Sequence, residues 1–379
     1  MILTGFSLRN FKSIYNHRFR IGKLNLFLGK NGMGKSSTIQ ALLCLRQSLE
    51  YRDLSIGKGT LNGIEYHLRF NYFVKGSLCT LGQSQNVYTK WSKDIDEKIE
   101  IFIETDKGNM NIVIPYLAQK DSLGAYITFD KPEVPFKLNL LQDSFQYLKA
   151  HRISPDDLFS SDTSIVESKR QLGETGDYAA QFLLMHGKHR VAEKMRIEKA
   201  DSEQLLDQVS AYMSLLGNNM KVRVDYQGER VSLNYDVYRA EGTIYDTIKP
   251  QNTGFGLTFS LPVITSLLGA KAGQVQIIEN PESHLHPRGQ SIMGGLLAKA
   301  AASDQQLFIE THSDHVINGI RVAVKNGILN PDDVTLHFFG QSTTGALEIT
   351  EIRIDRNGEL SDYPNDFLDE WDNQLLNLI

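Results

Sequence analysis

The chain has 379 residues, room for about two domains of roughly 150 residues each, and its 41% hydrophobic content is ample for packed cores. A net charge of −5 excludes a globally basic nucleic-acid binder, so any such contact needs a local patch. Two cysteines, Cys44 and Cys79, exclude a disulfide framework, and no apolar run approaches the ~18 residues of a membrane span.

Residues 1–28 read as two strands. Ile2–Leu8 alternates, Asn10-Phe11-Lys12-Ser13 turns the chain, and Phe19–Leu28 returns. Arg9 and Lys12 interrupt the apolar residues, which argues against a signal peptide and for a reducing cytoplasm. The two cations read as surface charges at the turn or as contacts to the motif that follows.

That motif is Gly29-Lys30-Asn31-Gly32-Met33-Gly34-Lys35-Ser36-Ser37, which fits the phosphate-loop pattern at every fixed position. An apolar strand, Leu24–Leu28, precedes it, and a helical pattern with Ile39, Leu42, Leu43 and Leu45 follows. Glycines let the backbone wrap a polyphosphate with its N–H groups, and the helix aims its positive end at the same anion. Asn31, Gly32, Gly34, Lys35, Ser36 and Ser37 are the candidate nucleotide contacts. Lys35 suits the β- and γ-phosphates, and the Ser36 hydroxyl suits Mg2+.

From Leu61 to Asp130 the texture is alternating. Ile64–Phe73, Ile99–Glu104, Asn111–Tyr116 and Ala125–Asp130 predict an antiparallel sheet, with Trp91–Lys98 as a solvated loop of mixed charge. Residues 131–220 predict a mainly helical lobe, with helices over Lys137–Lys149, Ala179–Met185 and Glu203–Leu216. No heptad run is sustained, which excludes a long coiled-coil arm.

Lys221–Tyr238 predicts a β-hairpin across Gln227-Gly228. Gln251-Asn252-Thr253-Gly254-Phe255-Gly256-Leu257 then leads into an apolar helix, Leu261–Leu268, whose start offers N–H groups to an anion. Val275–Ile278 is a buried-strand pattern ending in Glu279-Asn280-Pro281-Glu282, and Leu307–Glu310 is another ending in Thr311-His312-Ser313. A carboxylate at such a strand end, here Glu279, is placed for a second Mg2+ contact, and His312 for a hydrogen bond to the γ-phosphate.

With these four elements in order, the chain resembles ABC-type ATPases. Gly29–Ser37, Asn252–Gly256, Ile277–Pro287 and Glu310–Ser313 match the Walker A, signature, Walker B/D-loop and switch-histidine segments. Phe6–Ser13 and Pro281-Glu282-Ser283-His284-Leu285-His286-Pro287 are similar to the SMC/RecF/OLD branch. Asp355–Glu359 and Asp362–Phe367 resemble the C-terminal stretch of short stand-alone ATPases from prokaryotic anti-phage defence loci. The resemblance implies an α/β fold, an ABC-type P-loop NTPase head with an antiparallel β layer and an inserted helical lobe. It places the ATPase core at 1–60 and 221–379, the β layer at 61–130 and the helical lobe at 131–220. It implies ATP and Mg2+ as cofactors, and a homodimer or higher even-numbered oligomer built through an ATP sandwich. Thr253, Gly254 and Gly256 would then meet the nucleotide in trans. A separate effector, a nuclease or toxin, is the implied partner.

Two departures matter. The signature reads Asn-Thr-Gly-Phe-Gly, with Thr253 in the usual serine position and only the first glycine of its pair kept. Asn280 occupies the place of the catalytic glutamate and cannot act as a general base, although it can orient water. Glu282, two residues on, is the alternative carboxylate. Slow hydrolysis and long-lived ATP-bound dimers are expected, which suits a sensor better than a motor. The Glu282-x-His284-x-His286 spacing is better explained by the D-loop resemblance than by a zinc site. A RecF-like DNA repair ATPase that binds DNA, and a non-hydrolysing ATP-gated scaffold, are the alternatives. The Q-loop residue is Gln142 or Gln146 by position. The tail predicts two strands, Val334–Phe339 and Ala346–Ile354, and a helix, Asp366–Ile379, with no room for an appended effector.

Overall fold

Period-two alternation of large aliphatic residues builds the first sheet. In Lys98–Thr105 the side chains of Ile99, Ile101 and Ile103 are fully buried while Phe102 is exposed, and Asn109–Pro115 buries Met110, Ile112 and Ile114 likewise. The computed structural model describes residues 1–50, 55–61, 64–89, 98–115, 122–154, 156, 158–217, 219–239, 242–342, 345–365, 367–368 and 374–378. The mixed-charge loop expected at Trp91–Lys98 lies outside the described residues but for Lys98, as do Tyr116, Pro155 and Asp366. The chain divides into two units, 1–142 with 335–352 and 362–379, and 143–334 with 353–361.

The first unit holds a seven-stranded sheet, antiparallel throughout. Its order is Ile14–Arg20, Leu3–Phe11, Lys98–Thr105, Asn109–Pro115, Ser122–Phe129, Ile64–Phe73, Ser55–Leu61. The four strands expected from alternation are therefore all present. The turn expected at 10–13 forms with Asn10 at φ 59° and Lys12 at φ 54°. The return strand Phe19–Leu28 does not run through; it is split into Ile14–Arg20 and Leu24–Gly29. The buried Asn25 amide accepts from the Gly22 N–H at 2.8 Å and donates to the Gly22 carbonyl at 3.0 Å, which fixes a bend that apolar patterning does not reveal.

Leu24–Gly29 joins Val334–Gln341 and Leu347–Ile352 in the strand order Leu347–Ile352, Val334–Gln341, Leu24–Gly29. Phe19, Phe27, Phe339 and His337 pack as one aromatic cluster, with His337 5.2 Å from the Phe19 ring centre and 5.6 Å from that of Phe27. The helix Lys35–Glu50 sends the buried guanidinium of Arg46 to the carbonyls of Leu140 and Gln142.

In the second unit three parallel strands lie in the order Gln306–Glu310, Val275–Glu279, Gln146–Leu148. Almost every residue in them is buried, as in parallel strands covered on both faces. The helix expected over Lys137–Lys149 is not formed. Instead the chain makes one turn at Val134–Lys137, a 3-10 turn at Asn139–Leu141, and the strand Gln146–Leu148. Leucine spacing is compatible with a helix there, but tertiary pairing overrides it. The Gln146 side chain accepts from the Leu172 N–H and donates to the carbonyls of Tyr147 and Gly173. Gln142 likewise donates to the carbonyls of Phe136 and Leu138, so both candidate Q-loop amides are bound to backbone.

The helices expected at 179–185 and 203–216 form as Ala179–His186 and Leu205–Leu216. The hairpin forms as Met220–Gln227 and Arg230–Tyr238, extended by Leu158–Phe159 and Ile244–Ile248. Two helices beyond the expected set, Pro287–Ala302 and Asp314–Lys325, meet backbone to backbone. A Cβ on Gly294 would lie 2.2 Å from the Val316 carbonyl oxygen, and one on Gly319 2.2 Å from that of Ser291. Of the helix expected at Asp366–Ile379, residues 374–376 are helical, while 366, 369–373 and 379 lie outside the described residues. Among the described residues no helix is long and apolar enough to cross a membrane.

The first unit carries an acid-sensitive core. Burial pushes His337 down to about 4, and its Nε2 lies 3.0 Å from the Arg20 carbonyl oxygen. The folded state therefore refuses a proton that the unfolded chain takes up, so stability falls as pH drops from about 6.5 towards about 4. At about 1.4 kcal/mol per pKa unit, the loss is of order 3 kcal/mol. Chemical denaturation at stepped pH should show a shallower decline in His337→Phe than in the wild type. Parallel curves would remove His337 as the cause.

Candidate functional site

The phosphate loop is set by glycine geometry. Gly29, Gly32 and Gly34 lie at φ 125°, 79° and 105°, a region that side chains disfavour. A Cβ at Gly29 would sit 2.2 Å from the Phe339 carbonyl oxygen, and one at Gly34 2.5 Å from Ser13 Oγ, whereas Gly32 faces open space. Gly29 is thus required by packing against main chain as well as by its φ, and Gly32 and Gly34 by the turn itself. Lys35 Nζ donates to the carbonyls of Gly29 and Lys30 at 2.6 and 2.8 Å, and its side chain is folded back over the loop. Asn31, Gly32 and Ser36 are exposed, while Gly34 and Ser37 are buried. Arg9 pairs with Glu100, and Lys12 donates to Gln40 on the phosphate-loop helix. A cleft of about 380 Å³ beside the loop is lined by Ser13, Tyr15, His17 and Leu347, and Ser13 Oγ is buried there with no hydrogen-bond partner.

In the second unit the Walker B strand places a cluster of polar groups at its end. Glu279 Oε1 accepts from the Tyr147 hydroxyl at 2.8 Å, and Oε2 from the Ala150 N–H at 3.0 Å. Asn280 has left-handed backbone, φ 45°, and its N–H donates to the Glu310 carbonyl at 2.7 Å. Asparagine tolerates that region better than most residues. Glu282 is buried. Its Oε1 accepts from the Thr311 hydroxyl at 2.7 Å and the His312 N–H at 3.1 Å, while Oε2 has no hydrogen-bond partner. The His312 side chain is exposed. The structure therefore brings Glu279, Asn280, Glu282 and His312 into one cluster.

His284 and His286 have separate environments. His284, at φ 62°, packs its exposed ring on Phe255 and Phe259, and His286 caps the helix Pro287–Ala302. Among the described residues no group of three or more His, Cys, Asp or Glu is arranged to hold a metal ion.

The signature segment begins with a 3-10 turn, Pro250–Asn252, whose first carbonyl accepts from both the N–H and the hydroxyl of Thr253. Gly254 is the N-cap of the helix Phe255–Gly269, with open space where a Cβ would be. Gly256 differs, because a Cβ there would sit 2.5 Å from the His284 carbonyl oxygen. The second glycine of this segment thus permits close packing of the helix on the segment after Walker B.

Arg152 was not among the residues singled out from the sequence. Its side chain has no exposed surface, and it donates to the Glu279 carbonyl at 2.6 Å and to the Asn280 carbonyl at 3.1 Å from both terminal nitrogens. Burial pushes it down to about 10, opposed by the charges of Glu282 and then Glu279, so it remains a cation at neutral pH. The available signal was the run Phe145–Leu148 followed by Arg152, which reads as a strand end once a helix is set aside.

A family described as AAA ATPase domain matches residues 92–317, a segment that contains the signature, Walker B and His312 but starts beyond the phosphate loop. A family described as a protein of unknown function, DUF3696, matches residues 329–378. No curated protein matches the chain. Among solved structures, the SmcHead bound to the C-winged helix domain of ScpA aligns with TM-score 0.55 at 10% identity, over 94% of this chain and 99% of that one. The Smc head domain with an extended coiled coil, bound to the C-terminal domain of ScpA derived from Pyrococcus furiosus, aligns with TM-score 0.50 at 11% identity, over 100% and 99%. The fold is SMC head-like, α/β with an antiparallel sheet.

The two signature glycines should separate on substitution. Gly254→Ala should cost at most about 1 kcal/mol, the penalty of alanine at an N-cap. Gly256→Ala should cost about 1–3 kcal/mol by overpacking against the His284 carbonyl. Denaturant titration ranks them, and equal losses would contradict the packing role of Gly256.

Proposed function

The chain belongs to the AAA ATPase domain family, and from that premise we propose a slow ABC-type ATPase that works as a nucleotide-controlled switch. The observation that carries this is the phosphate loop, with its three left-handed glycines, the Lys35 ammonium folded over the loop carbonyls and a 16-residue helix behind it. Backbone N–H groups from Asn31 to Ser37 wrap the phosphates of ATP, and Lys35 exchanges carbonyl partners for phosphate oxygens. Base and ribose take the adjoining cleft at Ser13–His17.

A hydroxyl and a carboxylate are hard oxygen ligands that fit Mg2+. Ser36 and Glu279 would hold it, and each Glu279 oxygen accepts one hydrogen bond, which leaves a lone pair for the ion. When bound, Mg2+ neutralises charge on the β- and γ-phosphate oxygens. Asn280 orients the attacking water, and Glu282, whose Oε2 has no hydrogen-bond partner, takes its proton. His312, held at its N–H by Glu282, is the residue proposed to hydrogen-bond the γ-phosphate.

Two copies close on two ATP molecules, with Thr253 and Gly254 of each copy completing the site of the other and Gly256 seating the helix that carries them. Dimer opening and closing then reports the state of the γ-phosphate. The setting proposed is the sensing half of a prokaryotic defence system with a separate nuclease or toxin, supported by the resemblance of the Asp355–Glu359 and Asp362–Phe367 segments. An SMC head of the same fold binds a domain of ScpA, so docking a separate protein is compatible with this fold. Asn280 favours one further reading, a non-hydrolysing scaffold assembled by ATP.

ATP turnover and oligomeric mass, measured together on wild type, Lys35→Ala and Glu282→Gln, discriminate these readings. Glu282→Gln keeps an oxygen for Thr311 and His312 and removes the base. The switch predicts wild-type turnover reduced at least about a hundredfold in both variants. The scaffold predicts no turnover in any of them, with ATP-driven assembly lost in Lys35→Ala. Turnover that survives Lys35→Ala would reject the phosphate loop as the site.

A further inference from the structure

In an extended strand successive carbonyls point to opposite sides, so one side chain cannot bind two in a row. At the end of Val275–Glu279 that rule is broken. The left-handed backbone of Asn280 turns its carbonyl to the side of the Glu279 carbonyl, and both meet the guanidinium of Arg152. The Asn280 N–H is held from the other direction by the Glu310 carbonyl.

Arg152 acts with its neighbours. The strand Gln146–Leu148 pairs in parallel with 276–278, and the chain then runs past the end of the Walker B strand. Tyr147 and Ala150 bind one Glu279 carboxylate oxygen each, and Arg152 binds the backbone beneath them. Residues 147–152 thereby fix the carboxylate, its own carbonyl and the next one. Arg152 also supplies a buried positive charge among Glu279 and Glu282, which would otherwise repel each other without compensation. Its Nε has no hydrogen-bond partner, so the side chain is committed through its two terminal nitrogens, and only a planar fork can satisfy that geometry.

We propose that Arg152 is a positioning residue that presets the Glu279 carboxylate for the divalent cation of the bound nucleotide, with Tyr147 as its accessory. The inference rests on the reading of Glu279 as a metal ligand and assigns the 147–152 segment as its outer support. Outer partners of metal-binding carboxylates carry a large part of metal affinity.

The test measures affinity for a fluorescent ATP analogue with Mg2+ and with EDTA, on wild type, Arg152→Lys, Arg152→Met and Tyr147→Phe. The ratio of the two affinities reports metal linkage and is insensitive to a uniform loss of folded protein. Arg152→Lys and Arg152→Met should lose about tenfold or more of the Mg2+-linked gain, and Tyr147→Phe less, with EDTA affinity within about twofold of wild type. An unchanged ratio in folded Arg152→Lys and Tyr147→Phe overturns the proposal, even where Arg152→Met does not fold. Lys35→Ala separates the two readings. If it binds the analogue as wild type does, the nucleotide site itself is misassigned; if it loses binding under both conditions, the outcome at Arg152 stands alone.

Discussion

A fully buried guanidinium sets the geometry of the second unit. Removing the Arg152 charge from water costs several kcal/mol, and only matched acceptors offset that cost. The acceptors at hand are two consecutive carbonyls, which converge here because Asn280, the residue between them, leaves the extended conformation for a left-handed one. That turn redirects the chain through Pro281 and carries Glu282 to the Thr311 hydroxyl and the His312 N–H. The strand end and the turn after it thus converge on one buried ion. An asparagine at position 280 satisfies the backbone as well as altering the chemistry, so its presence has a conformational reason beside any catalytic one.

The phosphate loop obeys a different constraint. Its shape is imposed by contact rather than charge, because the Phe339 carbonyl occupies the space where a Gly29 side chain would start and Ser13 does the same at Gly34. A loop confined by such contacts has few other shapes open to it, so little ordering entropy is left for binding to supply. The loop carbonyls of Gly29 and Lys30 give the buried Lys35 ammonium its partners within the same turn.

What was legible in the sequence was local. The phosphate loop, the alternating strands of the first sheet, the hairpin and the two parallel strands ending in Glu279 and Glu310 all follow from patterns within ten residues. What was not legible depends on distant partners. Gln146–Leu148 is a strand because it pairs with residues about 130 positions away, and a leucine-rich stretch gives no hint of that partner. Arg152 gains its meaning from carbonyls 127 and 128 residues on. Asp314–Lys325 has a readable stripe in Val316, Ile317, Ile320, Ala323 and Val324, whereas the alanines and glycines of Pro287–Ala302 blur the contrast on which periodicity depends. Gly256 was legible as a glycine but not as a packing glycine, since its neighbour His284 lies in another segment.

The contact between the helices Pro287–Ala302 and Asp314–Lys325 has a mechanical consequence. Where side chains interdigitate, two helices can slip by exchanging rotamers, and a displacement at one end fades along the way. At Gly294 and Gly319 backbone lies against backbone, and there are no rotamers to exchange. The pair therefore behaves as a single lever with its fulcrum at the glycines. One arm begins at Ser313, next to His312, and the other ends near the exposed side chains of Val322 and Lys325. A tilt imposed at the first arm is therefore passed to the second through main chain, which gives this region of the surface a rigid link to the end of the strand Gln306–Glu310.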